Sequence, residues 1–265
     1  MFNKILTTGD IPDLWKQANV TPIFKKGNKS QPGNYRPISL ISVLCKLFES
    51  ILRDSIMDFL STKNILIDTQ HGFTSRRSCL TNLIDFFDYI TKTVDSGDPV
   101  DLIYLDFRKA FDKVPHERLL SKLNTNGIDG YLYKCIRNWL IGRKQRVLIN
   151  GMKSKWQNVT SGVPQGSVLG PLLFLVYIND IDIGITSRIA KFADDTKIGR
   201  NVKDLEGIKQ LQKDLDRISA WGKTWMMDFN LDKCKKMHTG NRNIEFGYEM
   251  DGKWLASSSN EKDLT

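Results

Sequence analysis

A mixed α/β fold, a sheet of mixed strand direction carrying helices on one face, is what this chain of 265 residues predicts. Three observations predict it. Apolar residues recur at helical spacing in two early stretches, Leu40, Leu44, Leu47, Ile51 and Leu52, then Leu80, Leu83, Ile84, Phe87 and Ile90. From Val100 to Phe107 the period changes to a short run, apolar on both faces and bounded by turn residues, as a central strand requires. Two short strands and a long amphipathic helix later complete a β-α…β-β-α order.

The elements follow in chain order. Residues 1–38 predict an irregular start with one short strand, Val20 to Phe24, and a Gly-, Pro-, Asn- and Ser-rich loop from Lys25 to Pro37. Helices are expected over 39–60 and from about Ser78 to Val94. The turn Asp95-Ser96-Gly97-Asp98-Pro99 introduces the central strand. Pro115 suits a first helical turn, and that helix stops at Asn126-Gly127. Another helix is expected over Leu132 to Leu140. Arg146 to Ile149 and Trp156 to Val159 read as strands paired across Asn150-Gly151, a strong hairpin signal. A Gly/Pro loop, Val163 to Gly170, leads into a helix ending at Asn179. Arg188 to Phe192 and Thr196 to Gly199 form a hairpin with Ala193-Asp194-Asp195 at its turn. The long helix carries Leu205, Ile208, Leu211, Leu215 and Ile218; a strand near Met237 and a weakly patterned tail finish the chain.

Composition narrows the function. Apolar residues make up 40% and charged residues 26%, which excludes a disordered chain or a disulfide mini-scaffold. Lys and Arg number 39 against 30 Asp and Glu, a net charge of +9, so a polyanionic partner is expected. A membrane is not expected, because the longest apolar stretch, Val168 to Ile178, contains Pro171 and is too short to span. Two acid-free runs concentrate the positive charge. One, between Asp129 and Asp180, holds Lys134, Arg137, Arg143, Lys144, Arg146, Lys153 and Lys155; the other, between Asp13 and Glu49, includes Lys25, Lys26 and Arg36. They read either as solvated faces or as a phosphate-binding groove, and the lack of interspersed acids favours the groove. Cys45, Cys79, Cys135 and Cys234 are far apart, without a CxxC pair, so neither zinc nor a disulfide framework is expected and a reducing setting fits. With His71, His116 and His238 as the only histidines, any metal must be held mostly by oxygen, which selects Mg²⁺ or Mn²⁺.

Asp106 ends the central strand and Asp194-Asp195 occupy the hairpin tip. If the strands are neighbours, three carboxylates meet at one sheet edge, a repulsive arrangement that two divalent cations relieve. Each part also has a plain reading, since acidic pairs favour turns for local hydrogen bonding and Asp106 can simply end a strand. Asp112 reads as a local capping contact.

Longer stretches are more specific. Leu105-Asp106-Phe107-Arg108-Lys109-Ala110-Phe111-Asp112-Lys113-Val114, Gly162-Val163-Pro164-Gln165-Gly166-Ser167 and Phe192-Ala193-Asp194-Asp195 occur in order, preceded by Asn34-Tyr35-Arg36-Pro37-Ile38-Ser39-Leu40 and Gln70-His71-Gly72-Phe73. The chain resembles the reverse transcriptases of LINE-type (non-LTR) retrotransposons, of the jockey or CR1 kind, over nearly its whole length. Phe192 stands where many relatives have Tyr.

The resemblance implies a right-hand polymerase that extends a DNA primer on an RNA template from dNTPs. Residues 1–99 would be fingers and 100–240 palm, with a fingers segment inserted around 130–165. Residues 241–265 would begin a truncated connection to a thumb. Asp106, Asp194 and Asp195, with the Phe107 carbonyl, would hold two Mg²⁺ ions, with Mn²⁺ as a substitute. Phe111 would lie beneath the incoming sugar and exclude a 2′-hydroxyl, and Ala110 would belong to the dNTP site; without the family, Phe111 reads as a core aromatic. Arg36 and Lys25 would grip the triphosphate, Arg through its bidentate fork, although Lys26 competes with Lys25 for that role. Gln165 and Gly166 would lie against the templating base and nucleotide, glycine allowing close backbone approach. Lys233 would assist pyrophosphate departure. Arg143, Lys144, Arg146, Lys153 and Lys155 would bind nucleic acid. The resemblance further implies a piece of a retrotransposon polyprotein in a nuclear ribonucleoprotein. The alternative is a catalytically idle RNA-binding remnant lacking the thumb, and the oligomeric state is not encoded legibly.

Overall fold

The computed structural model describes residues 1–261, so the end of the expected thumb connection, residues 262–265, lies outside the described residues. In chain order the elements are α1 (Phe2–Thr8), β1 (Gln17–Phe24), β2 (Tyr35–Leu40), α2 (Val43–Thr62), α3 (Cys79–Asp95), β3 (Val100–Leu105), α4 (Ala110–Lys113), α5 (His116–Thr125), α6 (Gly130–Leu140), β4 (Lys144–Ile149), β5 (Met152–Lys153), β6 (Gln157–Asn158) and α7 (Leu169–Ile178). There follow β7 (Arg188–Phe192), β8 (Asp195–Asn201), α8 (Leu205–Trp225), β9 (Lys235–Thr239), β10 (Glu249–Met250), β11 (Lys253–Trp254) and β12 (Ala256–Ser257). They divide into two units, Met1–Ile65 with Phe111–Tyr177, and Leu66–Ala110 with Ile178–Thr265.

The first unit holds a sheet in the order β2-β1-β4-β5, with β6 also on β4; β1 is antiparallel to β2 and parallel to β4. Here the start of the chain is more regular than its sequence suggests. The expected loop to Pro37 gives way at Tyr35 to a strand, because β2 is an edge and tolerates a residue without an N–H. Asn150 and Gly151 both take positive φ, as a type I′ turn demands, but they join β4 to the two-residue β5. Of the strand expected at Trp156 to Val159, only Gln157 and Asn158 pair with β4. Trp15, Phe2 and Phe48 pack ring against ring, and α2 buries Cys45, Phe48, Leu52, Ile56 and Leu60. That corrects the expected face: Leu44 and Leu47, each 52% exposed, lie on the other side. Helix α7 is apolar on every side and buried accordingly.

The second unit is built on a sheet in the order β12-β9-β3-β8-β7, in which β12 runs parallel to β9 and the other neighbours are antiparallel. Helix α3 begins at a capping box, Ser78 with Thr81, and packs Phe86 and Ile90 on Val100, Leu102 and Ala190. Ile103 and Ile198, on the sheet's other side, are fully buried too. Asp204 caps α8 by accepting from the Gly207 N–H at 2.8 Å. In the tail, β10 and β11 form a hairpin across Asp251-Gly252, and two-residue strands of this kind leave no periodicity to read.

Candidate active site

In the second unit, β3 lies between β8 and β9, and their registers decide what meets at its end. Leu105 pairs with Thr196 on β8 and Tyr104 with Lys235 on β9. One residue further, Asp106 falls opposite Asp195 on one side and two residues past Tyr104 reaches Lys233 on the other. Phe192 pairs with Asp195, so Ala193 and Asp194 form a two-residue hairpin loop beside them. The strand order thus carries all three expected carboxylates to one sheet edge. Among the described residues no three His, Cys, Asp or Glu side chains are gathered tightly enough to hold a metal ion. The Asp106 carboxylate instead receives Lys233, whose Nζ lies 3.1 Å and 3.3 Å from its two oxygens.

The backbone there is firmly held. The Asn230 N–H donates to the Asp106 carbonyl at 2.7 Å and the Arg108 N–H to the Asp228 carbonyl at 2.8 Å. These flanking bonds make the bridge between Phe107 and Phe229, so Phe107's own carbonyl is not spent on it. The Phe107 ring stacks on Phe229 with centroids 4.5 Å apart. Cys234, fully buried, accepts the Asp106 N–H at 3.5 Å, and burial pushes its thiol up to about 11. Ala110 is buried at the start of α4. The carboxylate oxygens and the Phe107 carbonyl are hard donors, the type that Mg²⁺ or Mn²⁺ prefers, and a cationic side chain lies against Asp106.

The first unit holds the other expected residues. Phe111 is half-buried and stacks on Phe174, centroids 4.5 Å apart and planes at 22°, while its carbonyl accepts the Val163 N–H at 2.7 Å. Gln165 donates through Nε2 to Asp112 at 2.9 Å, and its carbonyl accepts the Ser39 N–H at 2.7 Å. Asp112 is therefore no local cap: it holds a residue 53 positions away. Gly166 sits at φ +99°, where an added Cβ would come within 2.9 Å of the Ser39 carbonyl oxygen. Within the chain its close approach is to β2. Arg36 is exposed on β2 opposite Ile23, and Lys25, also exposed, follows β1 with its N–H bonded to the Asn34 carbonyl.

Of the expected nucleic-acid contacts, Lys144, Lys153 and Lys155 are exposed, and Arg146 lies over the Trp156 ring at 4.4 Å while donating to Asn19. Arg143 does not join them. It is 2% exposed, stacks on Trp139 at 4.8 Å and donates to the Trp139 carbonyl, and burial pulls its pKa down against the opposing pull of Cys45 and Glu49. Glu49, which sequence reading missed, is fully buried, accepts the Trp139 indole N–H at 2.9 Å and the Val168 N–H at 2.7 Å, and so caps the approach to α7. The signal was present, as a lone acid spaced with Cys45, Phe48 and Leu52 on one helical face.

Residues 23–256 match the family described as reverse transcriptase (RNA-dependent DNA polymerase), and the chain belongs to that family. It is 31% identical over 244 residues to a probable RNA-directed DNA polymerase from transposon BS of Drosophila melanogaster, covering 88% of this chain and 27% of that one. To the RNA-directed DNA polymerase from mobile element jockey of the same fly it is 29% identical over 252 residues, covering 91% and 27%. The chain thus spans about a quarter of the length of these relatives. Among solved structures it is similar to apo telomerase from Candida tropicalis, truncated from the C-terminal domain, with a TM-score of 0.64, 11% identity and coverage of 91% of this chain and 53% of that one. The fold is the fingers-and-palm fold of polymerases. Among the described residues no helix is long and apolar enough to cross a membrane.

Proposed function

We propose that this chain is the catalytic part of an RNA-directed DNA polymerase, extending a DNA primer on an RNA template from dNTPs. The observation that carries the reading is the register bringing Asp106, Asp194 and Asp195 to one sheet edge, in a chain that belongs to the reverse transcriptase family. Residues 1–99 would serve as fingers and 100–240 as palm, with a fingers segment inserted around 130–165.

The primer 3′-hydroxyl oxygen attacks the α-phosphorus, a phosphodiester forms and pyrophosphate leaves. Asp106, Asp194, Asp195 and the Phe107 carbonyl would hold two divalent ions, which supply charge neutralisation at the attacking and leaving oxygens when bound. The remaining work is positioning. Arg36 and Lys25 bind the triphosphate, Phe111 presses against the sugar, and Gln165, oriented by Asp112, lies beside the base. Lys233, whose Nζ lies against Asp106, would assist the departure of pyrophosphate as general acid.

Primer extension on poly(rA)/oligo(dT) with Mg²⁺ or Mn²⁺, beside Asp194→Asn, tests the reading. Extension by the parent and none by the variant is expected. Extension that survives Asp194→Asn overturns the metal assignment, and RNA binding without extension makes the chain an idle remnant.

A further inference from the structure

We propose that Gln70 is a positioning residue for the turn that carries Asp194, a role that rests on the metal-holding reading above. Ala193, the first loop residue, sits at φ +53°, where a two-residue hairpin normally has glycine. A residue with a Cβ adopts that conformation reluctantly and needs its surroundings to keep it there. The Gln70 side chain is what touches it. Its Oε1 accepts the Ala193 N–H at 2.9 Å and the Gly72 N–H at 2.8 Å, and its Nε2 faces the Ala193 carbonyl at 3.5 Å. Gln70 is buried, so these bonds have no competing water.

The segment around it is laid against the hairpin by further bonds. Gln70 bridges Lys191 in parallel, the Lys191 N–H donates to the Thr69 carbonyl at 2.9 Å, and the His71 N–H returns to the Lys191 carbonyl at 2.9 Å. Asn82 Nδ2 donates to the same carbonyl at 3.0 Å. Lys191 itself is buried, its ammonium paired with Asp182, which also accepts from Thr69. Residues 69–72 therefore act as a short extra strand on the edge of β7 that ends against the loop. Gly72 completes the fit, since a Cβ there would lie 2.4 Å from the Ala193 nitrogen. The stretch Gln70-His71-Gly72 thus has a mechanical reason for its composition: an amide to bracket the turn and a bare backbone to let the turn come close.

Binding of Mn²⁺ alone, followed by the paramagnetic resonance of the free ion, tests this beside single-turnover extension. Gln70→Met removes the bracket at constant length. It should weaken Mn²⁺ binding by about 10- to 100-fold, as loss of a group that orients a ligand does, and lower kcat with little change in the KM for dNTP. Ala193→Gly added to Gln70→Met should return the affinity toward the parent value, because glycine takes positive φ without support. A role in packing alone would not respond to that second change. If Gln70→Met does not fold, Gln70→Asn carries the test, its amide one methylene too short to reach Ala193, and the same loss is expected. Parent-like Mn²⁺ binding in either Gln70 variant, or a double variant no better than Gln70→Met, overturns the proposal. Asp194→Asn run in parallel separates the two readings: if it leaves Mn²⁺ binding intact, the metal assignment has failed and takes the positioning role with it.

Discussion

Phe111 shows how much a single side chain can carry and how little of that is visible in isolation. Its ring is fixed on Phe174 and its carbonyl on the Val163 N–H, so it is neither a free surface aromatic nor fully core. Phe111→Val should admit ribonucleotides, raising the preference for NTP over dNTP incorporation by about 10- to 100-fold, the scale set by removing bulk from a discriminating wall. Competitive incorporation of rATP and dATP measures it, and an unchanged sugar preference removes Phe111 from that role. That Asp106, Asp194 and Asp195 fall at one sheet end was legible because they stand inside long ordered stretches. Asp112 belongs to the same stretch but was read as a cap, since sequence cannot show a partner 53 positions away. The burial of Arg143 is equally hidden in sequence, since Glu49, the acid that acts on it electrostatically, lies on a distant helix.

Periodicity located the helices well and their buried faces less well. Helix α2 carries two apolar stripes one residue apart, Leu44, Leu47 and Ile51 beside Cys45, Phe48 and Leu52, and spacing alone cannot say which of them turns inward. In α3 likewise, Phe86 and Ile90 are buried while Leu80 and Ile84 are exposed. Polar residues on these elements hold them in place. Asp214, fully buried on α8, accepts from the N–H and hydroxyl groups of both Thr186 and Ser187 and pairs with Arg217 at 2.9 Å. Burial alone would raise its pKa, but the Ser187 and Thr186 hydrogen bonds win and hold it below the usual carboxylate range. Because the folded value is the lower one, the unfolded chain binds the proton first. The stabilisation is complete above the ordinary carboxylate range and is lost as pH falls through the depressed value. Asp214→Asn should cost about 1–3 kcal/mol at neutral pH and flatten the acid limb of a melting-temperature profile. An unchanged melting temperature at pH 7 would show the bonds to be dispensable.

Across the whole molecule, the surplus of +9 is the feature most open to direct measurement. Lys144, Lys153 and Lys155 remain on the surface of the first unit. Replacing all three by Ala should reduce the slope of log affinity for single-stranded RNA against log salt by up to about 2, at roughly 0.7 per phosphate contact. Fluorescence anisotropy across a salt series reads it, and a slope equal to the parent's excludes these lysines from the interface. The mixed sheet and its flanking helices were legible because strand and helix periods differ. The grouping into two compact units depends instead on which distant segments pair, as where α3 packs on the sheet of β3. That interleaving bears on how the protein is made. Strand β1 finds its partner β4 only after residue 144, and β3 stays without either neighbour until residues 195–239 have been synthesised. A nascent chain leaving the ribosome must therefore carry a central apolar strand unpaired from residue 105 until β8 begins at residue 195, an interval in which a holding chaperone has something specific to grasp.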